Sequence, residues 1–439
     1  MSLTASLNNA LSGLKAANIG IAVTSDNIAN AMTEGFQKRE VTRGSQLGGG
    51  VSVTAIGRHV DAALLGQMHQ LNASTSFNET QKQALQTLYN AMGLHSENGD
   101  LHQHLADLKS LLIDAPQGVG SGQRLSDIAA KGRQFANMVS HVQSVLSSQS
   151  QSSVAAIGDQ VAKANNYISQ ISRLNKEIAQ SSDTEKNQLS DRRDVALNNL
   201  SQIMPITIRF GDQNDVKIYT EQGMPLLDRG PKPLEFDGQN IYQKTANGRV
   251  PLIMTSKYGN GALGSGSLAA HIHMVNVEIP ELARGMDELV NMAVDLPDMF
   301  NATSNNLAVE FGLFVQSGSG LAVNPTLLTG APLSNGTAID GGSISLKPPT
   351  AIGQIIPPFS HLENKSLDVI SSVASRLKSS ETQIESQTLQ KQAIQGVFSK
   401  SGVQLEDEAF NLVTLQNAFE ANARVLKIVD ELHKALVRM

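Results

Sequence analysis

The stretch LTASLNNALSGLKAANIGIAVTSDNI, residues 3–28, carries a heptad pattern. Its first frame consists of Leu7, Leu14, Ile21 and Ile28, and its second of Leu3, Ala10, Ala17 and Thr24. Seven-residue spacing places such side chains along one face of a helix, which a partner helix must cover. The N-terminal residues therefore predict a long helix that packs against another helix.

The C-terminal residues repeat the heptad pattern. One frame consists of Leu405, Leu412, Phe419 and Leu426; the other contains Leu415, Val429 and Leu436 and is interrupted by Glu408 and Asn422. Polar residues in such a face cost stability while they fix register or partner number. Two interpretations remain open. The terminal helices either pack separately on a globular core, or they pair as an antiparallel coiled coil with the rest of the chain as a nested insertion.

The chain between the two ends begins with a polar stretch. Residues 37–72 predict an extended segment, and residues 75–203 have a helical pattern. A helix breaker at residues 116–122 predicts a reversal between two antiparallel long helices. The second of them, over residues 123–180, has a predicted length of about 87 Å at about 1.5 Å per residue.

Two groups of polar residues provide N-cap chemistry for a further helix that ends near Ile203. One group is residues 183–185, and the other is Ser190 with Asp191. The segment Asp191-Arg-Arg-Asp194 contains two carboxylates, which at a helix start favour the positive end of the dipole. We therefore predict capping and salt bridges by this segment rather than catalysis.

From Pro205 the apolar pattern alternates, which predicts strands near residues 206–210, 216–218 and 250–254. These strands predict a small β domain. Residues 268–301 predict a helix that is bent or broken at Pro280 and Pro297.

Residues 311–360 are rich in Gly, Ser, Pro and Asn. They predict an exposed loop or irregular β segment. Helix returns in the prediction over residues 362–398.

The predicted fold is mainly α with a β insertion, in discontinuous nested domains. The predicted domains are a terminal coiled-coil assembly domain (1–72 and 400–439), a long-helix bundle (73–204, 262–310 and 361–399), a β-rich outer domain (205–261) and an irregular segment (311–360). In this arrangement each outer layer of the nesting, first the terminal domain and then the helix bundle, contains sequence from both ends of the chain.

Composition excludes several functional classes. The chain has 439 residues, Lys+Arg 34 against Asp+Glu 40, a net charge of −6 and Cys 0. Without cysteine there is no disulfide, thiolate nucleophile or zinc knuckle. A mildly acidic chain lacks the overall basic field of a nucleic-acid binder. No apolar run approaches the ~20 residues that cross a bilayer, and the N-terminus lacks the pattern of an ordinary secretory signal. We expect neither nucleic-acid binding nor membrane insertion.

Catalytic motifs are hard to find in the sequence. His102 and His104 form one close histidine pair, and His271 and His273 the other, with His95 near the first. Positions two apart on a helix point away from each other, whereas on a strand they share a face, so the second pair stays open as a metal site. The predicted place of both pairs is a surface or an interface. We predict no catalytic residue, no metal site and no cofactor.

The two ends of the chain carry motifs that resemble a known family. Residues 11–36 contain Asn27, Ile28, Asn30, Thr33, Gly35 and Phe36. This pattern resembles the N-terminal signature of the bacterial flagellar rod and hook axial family, with Asp26 in place of the usual first Asn. Residues 401–424 resemble the family's C-terminal signature, with Phe419 where a Tyr is common.

Within this family the chain is most similar to the first junction proteins between hook and filament. The similar segments are Gly50 to Leu64, which includes Arg58 and Asp61, and residues 189–194. The resemblance implies a structural subunit, not an enzyme, that is exported through the flagellar type III channel to the extracellular hook–filament junction. It implies a ring of identical subunits, contacts with the hook protein and a second junction protein, and an export chaperone at the C-terminal helix.

The resemblance and the heptads together give the predicted assembly residues. They are Leu7, Leu14, Ile21, Asn27, Ile28, Asn30, Thr33, Gly35, Phe36, Leu405, Leu412, Leu415, Phe419, Asn422, Leu426, Val429 and Leu436. We expect a positive φ at Gly35, hydrogen bonds from Asn27 and Asn30 to nearby backbone, and Phe36 as an anchor against neighbouring helices. Two alternatives are another axial protein of the flagellum, and a secreted enzyme or adhesin that uses residues 205–360.

Overall fold

The structure is a computed structural model, and it is mostly helical with several small antiparallel sheets. The coarse prediction of a mainly helical chain with β insertions is confirmed. The structure describes residues 3–33, 35–46, 49–58, 60–93, 99–113, 122–211, 215–245, 248–252, 264–304, 307–318, 320–329, 344–347 and 349–438.

The helices differ widely in length. They are α1 (Leu3–Asn30), α2 (Ala62–Ala91), α3 (Leu101–Ile113), α4 (Gly122–Gln180), α5 (Asp183–Ile203), α6 (Ser267–His273), α7 (Ile279–Val294), α8 (Pro325–Thr329), α9 (Pro349–Ser401) and α10 (Leu405–Arg438). A π-helical turn, Met274–Glu278, joins α6 to α7.

The strands are short and pair in antiparallel sheets. They are β1 (Arg39–Ser45), β2 (Val51–Arg58), β3 (Ile206–Phe210), β4 (Val216–Thr220), β5 (Pro225–Leu227), β6 (Leu234–Phe236), β7 (Ile241–Thr245), β8 (Gly248–Pro251), β9 (Phe300–Ser304), β10 (Leu307–Phe311), β11 (Phe314–Ser317), β12 (Gly320–Val323) and β13 (Ser345–Leu346). Their orders are β1-β2, β3-β4-β5, β6-β7-β8, β10-β9-β13 and β11-β12.

The long helix α4 is shared by two hydrophobic cores. Its N-terminal half contributes Phe135 to a core built with α2, α3, α7, α9 and strands β9 to β12. Its C-terminal half contributes Ile168 to a second core, built with α5, α6 and strands β3 to β7. The prediction of one uninterrupted helix over residues 123–180 is confirmed. Because both cores use this helix, α4 fixes the position of the small sheets relative to the helical body.

The segment before α4 differs from its prediction. Residues 62–72 belong to α2 rather than to an extended segment, and Asp61 caps that helix by accepting hydrogen bonds from two backbone amides. The helical stretch predicted from residue 75 is divided, because α2 ends at Ala91 and Gly93 has a φ of 83°. The breaker at residues 116–122 lies almost wholly outside the described residues.

The second half of the chain also differs from its prediction. The helix predicted over residues 268–301 contains the π-helical turn just before Pro280 and ends at Val294. Residues 300–304 form a strand instead of the end of this helix. Residues 311–323 are not an exposed loop, because Phe311, Phe314 and Leu321 are buried in the first core. The helix predicted over residues 362–398 is α9, which begins earlier, at Pro349, and includes Pro357 and Pro358, with Phe359 buried.

Two strands predicted after Pro205 are confirmed as β3 and β4. The third, predicted over residues 250–254, overlaps β8 at Val250 and Pro251, and Met254 lies outside the described residues. Asparagines on α4 attach two of the small sheets. Asn165 donates to the Leu234 carbonyl at 2.8 Å and accepts from the Leu234 amide at 2.8 Å. Asn175 donates to the Val216 carbonyl at 2.8 Å. An amide side chain offers the same donor and acceptor as a neighbouring strand, so it satisfies strand groups that face a helix.

We expect the substitution Asn165→Ala to lower the free energy of unfolding by about 1–3 kcal/mol, because it leaves the amide and carbonyl of Leu234 without partners. The neighbouring Asn166 is exposed on the same helix and provides a matched control. Urea denaturation should show a lower midpoint for N165A and an unchanged midpoint for N166A. Equal effects of both substitutions would contradict the proposed attachment.

Candidate assembly site

The terminal helices α1 and α10 lie against each other and run in opposite directions. A Cβ added at Gly13 would meet the Asn422 side chain at 2.7 Å, and one added at Gly20 would meet Leu415 at 2.9 Å. The third contact is a hydrogen bond of 3.1 Å from Asn27 Nδ2 to Glu408 Oε2. The three contacts are seven residues apart on both helices, so the contacts repeat with the heptad period on each helix.

The face of α1 that packs against its neighbours consists of small and polar residues. Ala10, Ala17, Gly20, Thr24 and Asn27 are buried, so the second heptad frame is covered. The first frame, which contains the larger side chains, is less buried: Leu7 is 37% exposed, and Leu14, Ile21 and Ile28 are half-buried. Small residues let two helix backbones approach closely, and they leave the larger apolar side chains at the edge of the contact.

The predicted residues of α10 are divided in the same way. Val429 is buried, Leu412, Leu415, Asn422 and Leu426 are half-buried, and Leu405 and Phe419 are exposed. Leu436 lies in α10, but its side chain is outside the described part of the chain. Glu408 and Asn422, which interrupt the predicted heptad frame, are contact residues of α1.

A set of exposed apolar residues on α10 lies outside both heptad frames and was missed from the sequence. These residues are Phe410, Val413, Val425, Ile428 and Leu432. At about 100° per residue, Phe410, Val413 and Ile428 lie about 100° or more from the frame that contains Glu408 and Leu415. Val425 and Leu432 follow members of that frame by three residues and lie beside it. The signals that could have found these residues are two short apolar groups at spacings of three and four residues, one at 410–413 and one at 425–432.

Asn27 joins three parts of the site and is only 1% exposed. Its Oδ1 accepts from the Arg39 amide at 3.0 Å, and its Nδ2 donates to the Arg39 carbonyl at 3.0 Å. The second hydrogen of Nδ2 is available for the bond to Glu408. Glu408 is 2% exposed and also pairs with Lys38 at 3.0 Å. The base of the β1–β2 hairpin, α1 and α10 are thereby held at one point.

A chain of charged side chains continues from this point into the helical body. Arg39 pairs with Asp26 and lies 3.6 Å from Asp191, which also contacts Arg58 at 2.9 Å. Arg58 in turn pairs with Asp194. The expected cap role of Asp191 is wrong, because this residue lies inside α5, whose N-cap is Ser182 in a capping box with Glu185. Its partners are arginines of β1 and β2 rather than the neighbouring Arg192 and Arg193.

Burial raises the pKa of the Asp191 carboxyl to about 6, although the Arg58 and Arg39 guanidiniums favour its charged form. The side chain lies among α5, β1 and β2, where little water reaches it. A carboxyl with such a pKa changes its charge near neutral pH. The link between the terminal helices and the body therefore contains a titrating group.

The remaining predicted residues of α1 and its following turn lie beside this cluster. Gly35 has a φ of 78°, as expected, and a Cβ at this position would overlap Val195 of α5. Asn30 donates to the Asp26 carbonyl at 3.0 Å, and Thr33 is exposed. Phe36 is half-buried and lies 4.8 Å below the Arg39 guanidinium, a cation–π contact.

The histidine pairs lie on helices. His271 and His273 are in α6, so they do not share a face as strand residues would. His104 is buried rather than at the surface, and burial lowers its pKa. His95 lies outside the described residues. Among the side chains that the structure describes, no group of three or more His, Cys, Asp or Glu residues is placed to hold a metal ion. No described helix has the length and apolar character to cross a membrane.

Comparisons with known proteins define the class first. A family model described as flagella basal body rod protein matches residues 7–37, and one described as flagellar basal body rod FlgEFG protein C-terminal matches residues 394–439. Both ends of the chain are therefore those of a structural component of the flagellar axis, in agreement with the terminal motifs.

The particular family follows from the middle of the chain. The model described as flagellar hook-associated protein FlgK helical domain matches residues 94–319, which is more than half of the 439 residues. The chain belongs to the flagellar hook-associated protein FlgK family. This family consists of structural proteins of the extracellular part of the flagellum, so the predicted resemblance is confirmed.

Two relatives are similar over different shares of their length. Flagellar hook-associated protein 1 of Bacillus subtilis (strain 168) is 23% identical over 501 residues, which cover 97% of this chain and 96% of the relative. The structure of the flagellar hook junction protein FlgK from Burkholderia pseudomallei is 19% identical, with a TM-score of 0.43. That match covers 54% of this chain and 47% of the solved chain, so it spans about half the length of the solved chain.

The raised pKa of Asp191 predicts a pH dependence of stability. The folded protein binds the Asp191 proton more tightly than the unfolded chain does. At a pH below the ordinary pKa of an aspartate, this carboxyl therefore contributes its full stabilisation of the fold. That contribution is lost as the pH rises through about 6. When the pH is lowered from 7 to 5, the free energy of unfolding of the wild type should therefore increase relative to that of D191N.

Urea denaturation at several pH values measures this difference. Asp107 provides the control, because hydrogen bonds from Lys131 and Gln103 lower its pKa. The difference between the wild type and D107N should stay constant between pH 7 and pH 5. A constant difference for D191N as well would contradict the assigned role of Asp191.

Proposed function

We propose that this chain joins the flagellar hook to the filament as one subunit of a homo-oligomeric ring, and that α1 and α10 are its assembly element. The observation that carries the proposal is the apolar surface that α10 leaves exposed. Phe410 is 73% exposed and Ile428 is 56% exposed. Exposed apolar side chains of this size on one helix face are typical of a surface that a partner covers.

The two sides of α10 have different partners in this proposal. One side contacts α1 of the same chain through Glu408, Leu415 and Asn422. The other side carries Phe410, Ile428 and their neighbours, and it contacts α1 or α10 of an adjacent copy. Each apolar side chain that such a contact buries contributes about 1.5–3 kcal/mol. The same helix then stabilises both the fold of one subunit and the ring.

The finer arrangement of the terminal domain belongs to this proposal. We infer that α1 and α10 form an antiparallel coiled coil, since their contacts recur every seven residues on both helices. The predicted assembly residues act in two groups. Asn27, Leu415, Asn422 and Val429 stabilise the pair, and the more exposed Leu7, Leu405 and Phe419 extend the surface that faces a neighbour.

The proposed domain division follows the predicted boundaries except at residues 311–323. It comprises a terminal domain (1–72 and 400–439), a helix bundle (73–204, 262–310 and 361–399), a β-rich outer domain (205–261) and the segment 311–360. What supports a separate outer domain is its own hydrophobic core with the second half of α4. Residues 311–323 pack on the bundle core, so we assign this part to the bundle.

Family membership supports the proposed partners and location. We propose that the ring contacts the hook protein on one side and a second junction protein on the other, at the extracellular hook–filament junction. The chain reaches that place through the flagellar type III channel, with an export chaperone bound at the C-terminal helix. The proposed role is structural, and none of its steps requires catalysis.

The substitutions Phe410→Ser and Ile428→Ser, made together in a strain that carries this chain as its junction subunit, test the proposal. Each removes a contact of about 1.5–3 kcal/mol, so the pair should weaken association between copies by a hundredfold or more. We expect electron microscopy to show hooks without filaments, and we expect flagellin to accumulate in the medium.

Phe210 and Val250 provide a matched control, because they are 56% and 40% exposed on strands β3 and β8 rather than on a terminal helix. The variant F210S/V250S should assemble normal filaments. Circular dichroism of both purified variants should match the wild type, which separates failed assembly from failed folding. Normal filaments on the F410S/I428S variant would contradict the proposal.

A further inference from the structure

The register of the terminal helices is defined by three facing pairs. Gly13 faces Asn422, Gly20 faces Leu415 and Asn27 faces Glu408. Both helices repeat with the same seven-residue period, so a displacement of one helix by a heptad brings another set of heptad positions together. A repeated pattern of this kind does not select one register by itself, and some other feature of the pair must do so.

The apolar contacts discriminate weakly between the possible registers. If α10 moved by one heptad so that Leu415 faced Gly13, it would again meet a glycine, as it does at Gly20. In that register Glu408 would face Gly20, which has no side-chain donor. If α10 moved the other way, Leu415 would face the buried amide of Asn27. Both displacements separate Asn27 from Glu408.

The polar contact discriminates strongly, because both of its members are buried. Glu408 is 2% exposed, and its two oxygens are held by Asn27 Nδ2 at 3.1 Å and by Lys38 Nζ at 3.0 Å. A buried carboxylate that loses its donors is far less favourable than one that keeps them. A displaced register would leave this carboxylate without Asn27, so the displaced states are disfavoured.

The orientation of Asn27 is fixed independently of α10. The Arg39 amide and carbonyl bind Asn27 Oδ1 and Nδ2, so one Nδ2 hydrogen is directed to the hairpin and the other remains for α10. Lys38, next to Arg39 in the chain, brings a positive charge to the same place. The base of the hairpin thereby presents a donor and a charge that fit a carboxylate at one position of α10.

We propose that Asn27 and Glu408, supported by Lys38, are the specificity-determining residues that select a single register of α1 against α10. The remaining heptad positions contribute stability without selecting the register. The polar interruption of the C-terminal heptads is then the feature that gives the pair a unique alignment. This inference concerns contacts within one chain, so it can hold or fail separately from the proposed junction role.

Spin-label distances on the full chain in its assembled state, with labelled copies diluted by unlabelled ones, test the proposal. The chain has Cys 0, so labels attach only at introduced cysteines. Lys15 and Glu420 are exposed, and the observed register places them opposite each other, so K15C/E420C reports the alignment without altering the contact face. A displacement by one heptad lengthens their separation along the helix axis by about 10 Å, since each residue rises about 1.5 Å.

In the K15C/E420C background we expect one narrow distance maximum. Adding Glu408→Leu should produce a second maximum displaced by about 10 Å, because an apolar residue at this position no longer selects a register. Asn27→Asp, which places two carboxylates together, should also remove the single maximum. Glu408→Gln keeps an acceptor for Asn27 and should retain it.

Glu406, an exposed residue in the first turn of α10, provides the control for E408L. The variant E406L should keep the single maximum, and circular dichroism should show equal helix content in all variants. A single unchanged maximum in both E408L and N27D would overturn the proposal. A broad distribution in the unsubstituted K15C/E420C chain would overturn it as well, because residues 27 and 408 would then select no register.

Discussion

The two hydrogen bonds between the Asn27 side chain and the backbone of Arg39 are the interaction on which the terminal part of the structure depends. They hold the base of the β1–β2 hairpin on α1. Because the hairpin is held there, the Arg39 guanidinium lies between Asp26 of α1 and Asp191 of α5, and the remaining donor of Asn27 faces Glu408 of α10. One buried amide thus joins elements that are separated by as many as 381 residues in the chain.

The same kind of interaction recurs at three other places where a strand meets a helix. Asn165 and Asn175 of α4 bind the backbones of β6 and β4, and Asn187 of α5 donates to the Ile56 carbonyl of β2 at 2.9 Å. A strand residue without a partner strand on one side carries unpaired backbone groups, and an asparagine satisfies them at little cost in volume. For β4 and β6, these bonds add to the hydrophobic core that the strands share with α4 and α5.

Helix periodicity was the part of the fold that the sequence could predict. The heptads of α1, α4 and α10 are local patterns, and they predict these helices without knowledge of any distant residue. The role of Asp191 could not be predicted in this way, because its partners Arg39 and Arg58 are more than 130 residues away. Composition was a partial guide in residues 311–360. Glycine and proline there suggested an exposed loop or an irregular β segment; short strands are present, but Phe314 and Phe359 pack into the core, so these parts are not an exposed loop.

The choice of small residues for the α1 contact face has a consequence for assembly. If the large side chains of α1 and α10 were used within one chain, the pair would be stable but would leave little apolar surface for a neighbour. Here Ala10, Ala17 and Gly20 make the contact within the chain, while Phe410 and Ile428 remain exposed. A pair built from small residues is also weakly selective for register, since such residues tolerate several alignments. A buried polar contact then becomes necessary, and Glu408 provides it at the cost of removing a charge from water. The small contact face, the exposed apolar face and the buried carboxylate are in this sense parts of one arrangement.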